Sequence, residues 1–186
     1  MDGWLDLAEV GRRIVRSGLA SSRFGNMSIC FKDSMLITRT GSLLDEIDPF
    51  QVIEVDLEAT SARDALASSE AIVHRAVYKG TSARAIVHTH SPYAVALSII
   101  DDCLDPLDGE GQAFLGKVPV VEGAFGSEEL ARNVARALSQ ARATIARGHG
   151  VFAAGSSLAE AYSMACMAEH SAQVIHIVGC RAKVQG

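Results

Sequence analysis

Two histidines one residue apart, His88 and His90, close the apolar run Ala85-Ile86-Val87. In extended chain, residues two apart project to the same side, so both imidazoles can grip one ion. On a helix the same pair would diverge by about 200°, so the spacing has chemical meaning only on a strand. A second apolar run, Ala143-Thr144-Ile145-Ala146, leads into Arg147-Gly148-His149-Gly150 and supplies a third imidazole in a similar setting. Three neutral imidazoles with one open position make a catalytic site of the zinc type.

Glu70 is the carboxylate best placed to work beside such an ion. It is expected in the first turn of a helix, where the helix dipole favours negative charge. A metal-bound hydroxy-ketone has acidified protons, and a nearby carboxylate is the natural group to move them. Glu70 and His74, four apart, are an alternative metal pair in the manner of HExxH sites. His170 and His176, six apart on the last helix, face different ways and read as core or interface residues. Gly25-Asn26, Thr40-Gly41 and Ser68-Ser69 pair small or polar residues at turns and at a helix start. Such segments offer backbone N–H groups and hydroxyls to a phosphate without lysine, or are plain turn and cap chemistry. No Walker or dinucleotide fingerprint is present. Of Lys32, Lys79, Lys117 and Lys183, the first two fall at a turn or element end and the last in the tail, and none has a desolvated setting, which gives Schiff-base chemistry little support. No GxSxG elbow supports serine catalysis, and no cysteine lies in an electropositive turn.

These residues need elements to hold them. Apolar residues at Leu7, Val10, Ile14 and Val15 predict a helix over Leu5–Arg16, ended by Gly18. Met27–Phe31 and Met35–Thr38 read as a hairpin around Lys32-Asp33-Ser34, and Val52–Val55 as a further strand. A helix is expected from Ser68 to Tyr78, with Ser68 or Ser69 as N-cap. Then follow a strand over Ala83–His90, a helix over Pro92–Ile100 and a strand over Val118–Val121, whose Pro119 suggests an edge or strand start. Ser127 caps a helix to Ala141. Strands Ala143–Ala146 and Val151–Ala154 flank the Gly-His-Gly turn, and a long apolar helix runs Ser157–Gly179. Irregular alternation with hairpins points to an α/β fold, a sandwich with a mainly antiparallel or mixed sheet and not a doubly wound parallel one.

The 186 residues suffice for a single domain, 1–186, with a sizeable core, and a 48% hydrophobic composition marks a folded globular chain. A net charge of −5 with scattered basic residues argues against nucleic acid as a partner. No apolar run approaches the roughly 20 residues that cross a membrane. No secretion signal opens the chain, and Cys30, Cys103, Cys166 and Cys180 form no CxxC pair. These features suit reduced thiols in the cytoplasm.

Taken in order, Gly25-Asn26-Met27-Ser28, Thr40-Gly41, Ser68-Ser69-Glu70, His88-Thr89-His90 and Gly148-His149-Gly150 resemble the class II aldolase/adducin family, nearest its L-fuculose-phosphate aldolase branch. The resemblance covers nearly the whole chain and implies a three-layer sandwich, a central mixed sheet flanked by helices. It implies His88, His90 and His149 as ligands of one Zn²⁺ per subunit, with cobalt or manganese able to use the same donors. Glu70 corresponds to the catalytic acid/base, which also ligates zinc when no substrate is bound. Gly25, Asn26, Thr40, Gly41, Ser68 and Ser69 correspond to the segments that hold a substrate phosphate. The implied partners are a small phosphorylated sugar and further copies of the chain in a fourfold-symmetric homotetramer. The implied activity is reversible cleavage of a ketose phosphate to dihydroxyacetone phosphate and a short aldehyde such as lactaldehyde.

Relatives in the family epimerise ribulose phosphates, dehydrate a sugar phosphate or decarboxylate sugar-acid phosphates. The epimerases typically carry Asp where Glu70 stands, and adducin-type heads lose the metal histidines. Two departures from the aldolase pattern stand out. The stretch Leu107–Gln112 lacks the tyrosine that serves the aldehyde side, which turns attention to Asp108, Glu110, Tyr93 or water. The sequence also continues less far past its third histidine than the better-known aldolases, whose tail helps cover the site.

Overall fold

The structure, a computed structural model, describes residues 3–182. Lys183 lies outside them. The elements are α1 (Gly3–Arg16), β1 (Asn26–Phe31), β2 (Ser34–Thr38), β3 (Val52–Asp56), α2 (Ala71–Gly80), β4 (Ala85–Thr89), α3 (Pro92–Ile100), β5 (Cys103–Leu104), β6 (Val118–Val121), α4 (Glu128–Leu138), β7 (Ala143–Ala146), β8 (Gly150–Gly155) and α5 (Leu158–Ala182).

The strands form one eight-stranded sheet in the order β3-β2-β1-β4-β8-β7-β6-β5. Every neighbouring pair is antiparallel except β6 and β7. The mixed, mainly antiparallel sheet is the one expected from the pattern of elements. Alternation along the strands gives the sheet two apolar faces. Val87 and Ile145 pack with residues of α1, α3 and α5 such as Leu7, Ile14 and Ala168. Ile86 and Phe152 pack on the other face with Val73 and Val77 of α2 and Leu130 and Val134 of α4. The result is the three-layer arrangement, helices on both sides of the sheet. Burial of a side chain such as Leu7 or Ile14, neither exposed, is worth about 1.5–3 kcal/mol.

Local signals worked where they had a mechanism. Gly18 adopts φ 70°, and Leu19 N donates to Ile14 O while Gly18 N donates to Val15 O, so α1 ends in a Schellman motif. Ser127 Oγ accepts from Leu130 N at 3.1 Å and caps α4. The start of α2 differs from expectation. The helix begins at Ala71, so the N-cap is Glu70 and neither Ser68 nor Ser69. Ser68 instead takes Glu70 N on its hydroxyl at 3.3 Å and Ala71 N on its carbonyl. Pro119 also departs from the edge expectation, because β6 lies one strand in. Its cover is only Cys103–Leu104, and the Pro119 carbonyl accepts from Thr144 Oγ1 at 2.8 Å. His170 and His176 are exposed on α5, not core residues.

Candidate metal centre and active site

Antiparallel order brings the chemistry together. β1 and β8 both run opposite to β4, so the starts of β1 and β8 meet the end of β4 at one end of the sheet. Asn26 opens β1 directly across from His88. His90 follows β4, and His149 lies in the turn just before β8. Two glycines let the strands close on one another here. A Cβ on Gly25, at φ 92°, would lie 2.5 Å from His88 O, and one on Gly150 would lie 2.3 Å from Thr89 O.

The three imidazoles each offer a nitrogen, and these atoms all lie within 4.8 Å of one another. The Nε2 atoms of His88 and His90 are 3.2 Å apart. His88 is fully buried, stacked on Phe152, and its Nδ1 donates to the Val151 carbonyl at 3.0 Å. A carbonyl only accepts, so that proton sits on Nδ1 and the Nε2 lone pair faces the cluster. Glu70, also fully buried, brings Oε2 to 3.1 Å from His88 Nε2 and Oε1 to 3.9 Å from His149 Nδ1. Asn26 Nδ2 donates to Glu70 Oε2 at 3.0 Å. Among the described residues, Glu70 Oε1 and His149 Nε2 are buried without a protein partner. Buried nitrogen and oxygen atoms left without a partner beside two further imidazoles suit a cation.

Burial sets the protonation states. It pushes the Glu70 carboxyl up to about 7, with the Asn26 amide pulling the other way. Burial holds His88 well below the usual imidazole range, and repulsion from His149 and His90 adds to it. Burial and the His90 charge take His149 down to about 4, and burial lowers His90 as well. Neutral imidazoles are the form that binds metal.

A cleft of about 150 Å³ opens over this cluster, and Glu70 and His90 line it. All six residues singled out for a phosphate, Gly25, Asn26, Thr40, Gly41, Ser68 and Ser69, line the same cleft. Gly41 supplies a turn at φ 77°. The alternative pair of Glu70 with His74 is overturned. His74 Nδ1 is 2.7 Å from Ser28 Oγ, which is 2.6 Å from Tyr78 Oη, and the ring packs edge-on to Phe152. Burial takes His74 down to about 3, so it is a neutral core group beneath Glu70 and no part of the metal cluster. Tyr93, Asp108 and Glu110 do not line the cleft. Tyr93 packs against His176, and Asp108 accepts from Gly111 N at 2.8 Å.

Sequence reasoning passed over several residues of this region. Arg23 and Arg39 line the cleft. Their signal was adjacency, two residues before Gly25 and one before Thr40, which the scatter of basic residues obscured. Phe24 stacks on His90 with ring centroids 5.4 Å apart, and Phe125 meets His149 edge-on at 5.3 Å. Nothing in their spacing pointed to a site.

The family description "Class II Aldolase and Adducin N-terminal domain" matches residues 5–176. The chain belongs to that family. An L-fuculose phosphate aldolase of Methanococcus maripaludis is 34% identical over 156 residues, 83% of this chain and 84% of that protein. A 3-oxo-tetronate 4-phosphate decarboxylase of Pectobacterium atrosepticum is 30% identical over 184 residues, 95% of this chain and 84% of its own length. The crystal structure of an L-fuculose-1-phosphate aldolase from Thermus thermophilus superposes with a TM-score of 0.93 at 39% identity, covering 97% of this chain and 95% of that one. As a class II aldolase relative with its histidine cluster in place, the chain is a metal-dependent enzyme of the aldolase type.

Proposed function

We propose that this chain is a zinc-dependent aldolase that reversibly cleaves a fuculose-phosphate-like ketose phosphate to dihydroxyacetone phosphate and a short aldehyde such as lactaldehyde. The observation that carries this reading is the buried Glu70 carboxylate beside three converging imidazoles, at the floor of a cleft lined by Asn26, Ser68 and Gly41. His88, His90 and His149 would hold the ion, with the Glu70 carboxylate beside them as a further donor. A divalent cation there supplies Lewis acidity for the charge that develops as the carbon–carbon bond breaks. The reaction needs no co-reactant: as the carbon–carbon bond breaks, the proton of the substrate hydroxyl passes to water while the hydroxyl becomes the aldehyde carbonyl, and one proton is added to the carbon left behind. Glu70 delivers the proton to carbon, a role its place beside the imidazoles suits, with Oε2 3.1 Å from His88 Nε2. Asn26 holds that carboxylate in place through its 3.0 Å contact. The turn amides and hydroxyls bind the phosphate and keep the substrate in register, with binding energy remote from the chemistry.

We read the chain as one domain, because both apolar clusters share the single sheet. Zinc suits a nitrogen-rich donor set with one carboxylate. A homotetramer is supported by large apolar side chains left exposed on the single chain, Phe50 and Ile100 each at 83%. The four free cysteines suit a reducing cytoplasm.

Decarboxylation of a sugar-acid phosphate is the second reading. It is supported by the relative of that name, matched along 95% of the chain, and by a cleft with no tyrosine among its lining residues. The test is zinc-loaded protein with dihydroxyacetone phosphate and a panel of short aldehydes, followed by NMR and mass spectrometry. A new ketose phosphate with lactaldehyde or a close analogue is expected. No product with any aldehyde, together with carbon dioxide release from 3-oxo-tetronate 4-phosphate, would replace the aldolase reading with the second.

A further inference from the structure

We infer that Arg147 is a positioning residue for the metal centre, acting by tying the turn that carries His149 to the C-terminal end of α3. The inference rests on the reading of His88, His90 and His149 as metal ligands.

The three histidines are not held equally. His88 is locked inside the sheet by the Val151 carbonyl and the Phe152 ring. His149 sits between two glycines, one of them at φ 66°, and its closest aromatic neighbour outside the cluster is the exposed Phe125. Glycine flanks leave the backbone more conformational freedom than any other residue. Something besides local stiffness has to place this imidazole.

Arg147 supplies it. Its backbone N donates to Val121 O at 2.9 Å, which seats the turn on β6. Its Nη1 donates to the carbonyls of Ser98 and Asp101, the latter at 3.3 Å. These carbonyls lie at the end of α3, where unpaired C=O groups and the negative end of the dipole favour a cation. Nη2 pairs with Asp102 and Nε with Glu122, so each of the three guanidinium nitrogens has a partner. The next residue continues the tie, as Gly148 N donates to Ser98 Oγ at 3.0 Å. A planar fork can hold several acceptors in fixed directions in a way a lysine cannot.

The far end of this connection gives it meaning. α3 begins at Pro92, two residues after His90. Its first N–H groups, Tyr93 and Ala94, donate to the Glu169 carboxylate at 3.0 and 2.9 Å. The nine-residue helix is thus clamped at both ends, by α5 at its start and by Arg147 at its finish. It runs as a strut from the neighbourhood of one ligand to the turn that carries another. Arg147 touches neither substrate nor ion, and its effect passes through His149. Partners bonded directly to a ligand's ring are worth about 10–100-fold in metal affinity, and a tie that sets the turn from two residues away is expected to reach only the lower end of that range.

The experiment titrates metal-free wild-type protein, Arg147→Ala and Arg147→Lys with Zn²⁺ against a chromophoric chelator, with His88→Ala as a ligand-loss control. Visible absorption of the Co²⁺-loaded proteins and thermal melting of the metal-free ones are recorded alongside. Wild type is expected to bind one ion, and Arg147→Ala to bind it about tenfold more weakly, with a changed Co²⁺ spectrum. Free guanidinium at a concentration too low to unfold the protein is expected to restore part of the affinity. Arg147→Lys, which keeps the charge but not the fork, is expected to remain at least severalfold weakened, and it decides the matter if Arg147→Ala does not fold. Affinity and Co²⁺ spectrum of the folded variants unchanged from wild type would overturn the inference while leaving the metal centre intact. Failure of wild type itself to bind the ion would overturn the metal centre and the inference with it.

Discussion

Replacing Glu70 by Gln has an effect on metal-free protein whose sign is opposite to ordinary intuition. Gln keeps the shape of the side chain and removes a buried ionisable group. Burial raises the Glu70 carboxyl from 4.5 to about 7, with the 3.0 Å contact from Asn26 offsetting only part of the desolvation. The folded chain therefore holds this proton more tightly than the unfolded chain does. Its contribution to stability is complete below the ordinary carboxylate pKa and is lost as the pH rises through about 7. At about 1.4 kcal/mol for each pH unit between the two values, the loss amounts to roughly 3 kcal/mol. Urea unfolding of chelator-treated wild type and Glu70→Gln at pH 4.5 and pH 8.5 reads it directly. All other titrating groups are common to the two proteins, so the difference between them isolates Glu70. Glu70→Gln is expected to be more stable by about 3 kcal/mol at pH 8.5, and the gap is expected to close largely at pH 4.5. With the cation bound the order reverses, because the carboxylate then has its partner. The turnover of loaded Glu70→Gln is expected to fall by about 10²–10⁴-fold with the ion retained. Equal stabilities at both pH values would refute the account of a desolvated carboxylate.

Other perturbations probe the supports of the site. Gly150→Ala places a Cβ 2.3 Å from the Thr89 carbonyl and 2.8 Å from His88 Cε1, and calorimetry is expected to record a loss of about 1–3 kcal/mol or more. Ser28→Ala strips the shared partner from His74 Nδ1 and Tyr78 Oη in the core, which is expected to cost about 1–3 kcal/mol in urea unfolding; an unchanged midpoint would mean the chain of contacts is idle. Arg23 and Arg39 line the cleft and make no ion pair with a described acid. Changing both to Ala is expected to raise KM for a phosphorylated substrate about tenfold at low salt, at up to about 1 kcal/mol per exposed pair, and to leave kcat alone. A KM insensitive to both substitution and ionic strength would remove them from the phosphate's surroundings.

The parts of this molecule legible in the sequence are those where a local pattern has one physical outcome. His88-Thr89-His90 after Ala85-Ile86-Val87 meant a strand with two imidazoles on one side, and their Nε2 atoms do meet. Gly18 and Ser127 marked helix ends because a left-handed turn and a side-chain cap each need a particular residue type. The start of α2 was less legible, since Ser68 and Ser69 are both good N-cap residue types, yet the helix starts one residue later, with Glu70 at the N-cap and drawn inward by tertiary contacts with Asn26 and His88. Glu70 with His74 has the spacing of a metal pair on a helix, yet Ser28, distant in sequence, claims the imidazole. Cys103–Leu104 and the helical turn at Gly111–Leu115 carry too few residues for a periodic signal. Arg147 is the clearest case of illegibility. Its partners Ser98, Asp102 and Glu122 are brought to it only by the packing of α3 and β6 beside β7.

The central claim is that three imidazoles and one carboxylate of this chain hold a divalent ion. X-ray absorption at the zinc edge of protein loaded with one equivalent of zinc addresses it most directly. Three imidazole nitrogens at about 2.0–2.1 Å with oxygen completing the shell are the expected result, and His88→Ala is expected to lose one imidazole or the ion altogether. Sulfur in the first shell, fewer than three imidazoles, or a His88→Ala spectrum identical to wild type would contradict the account.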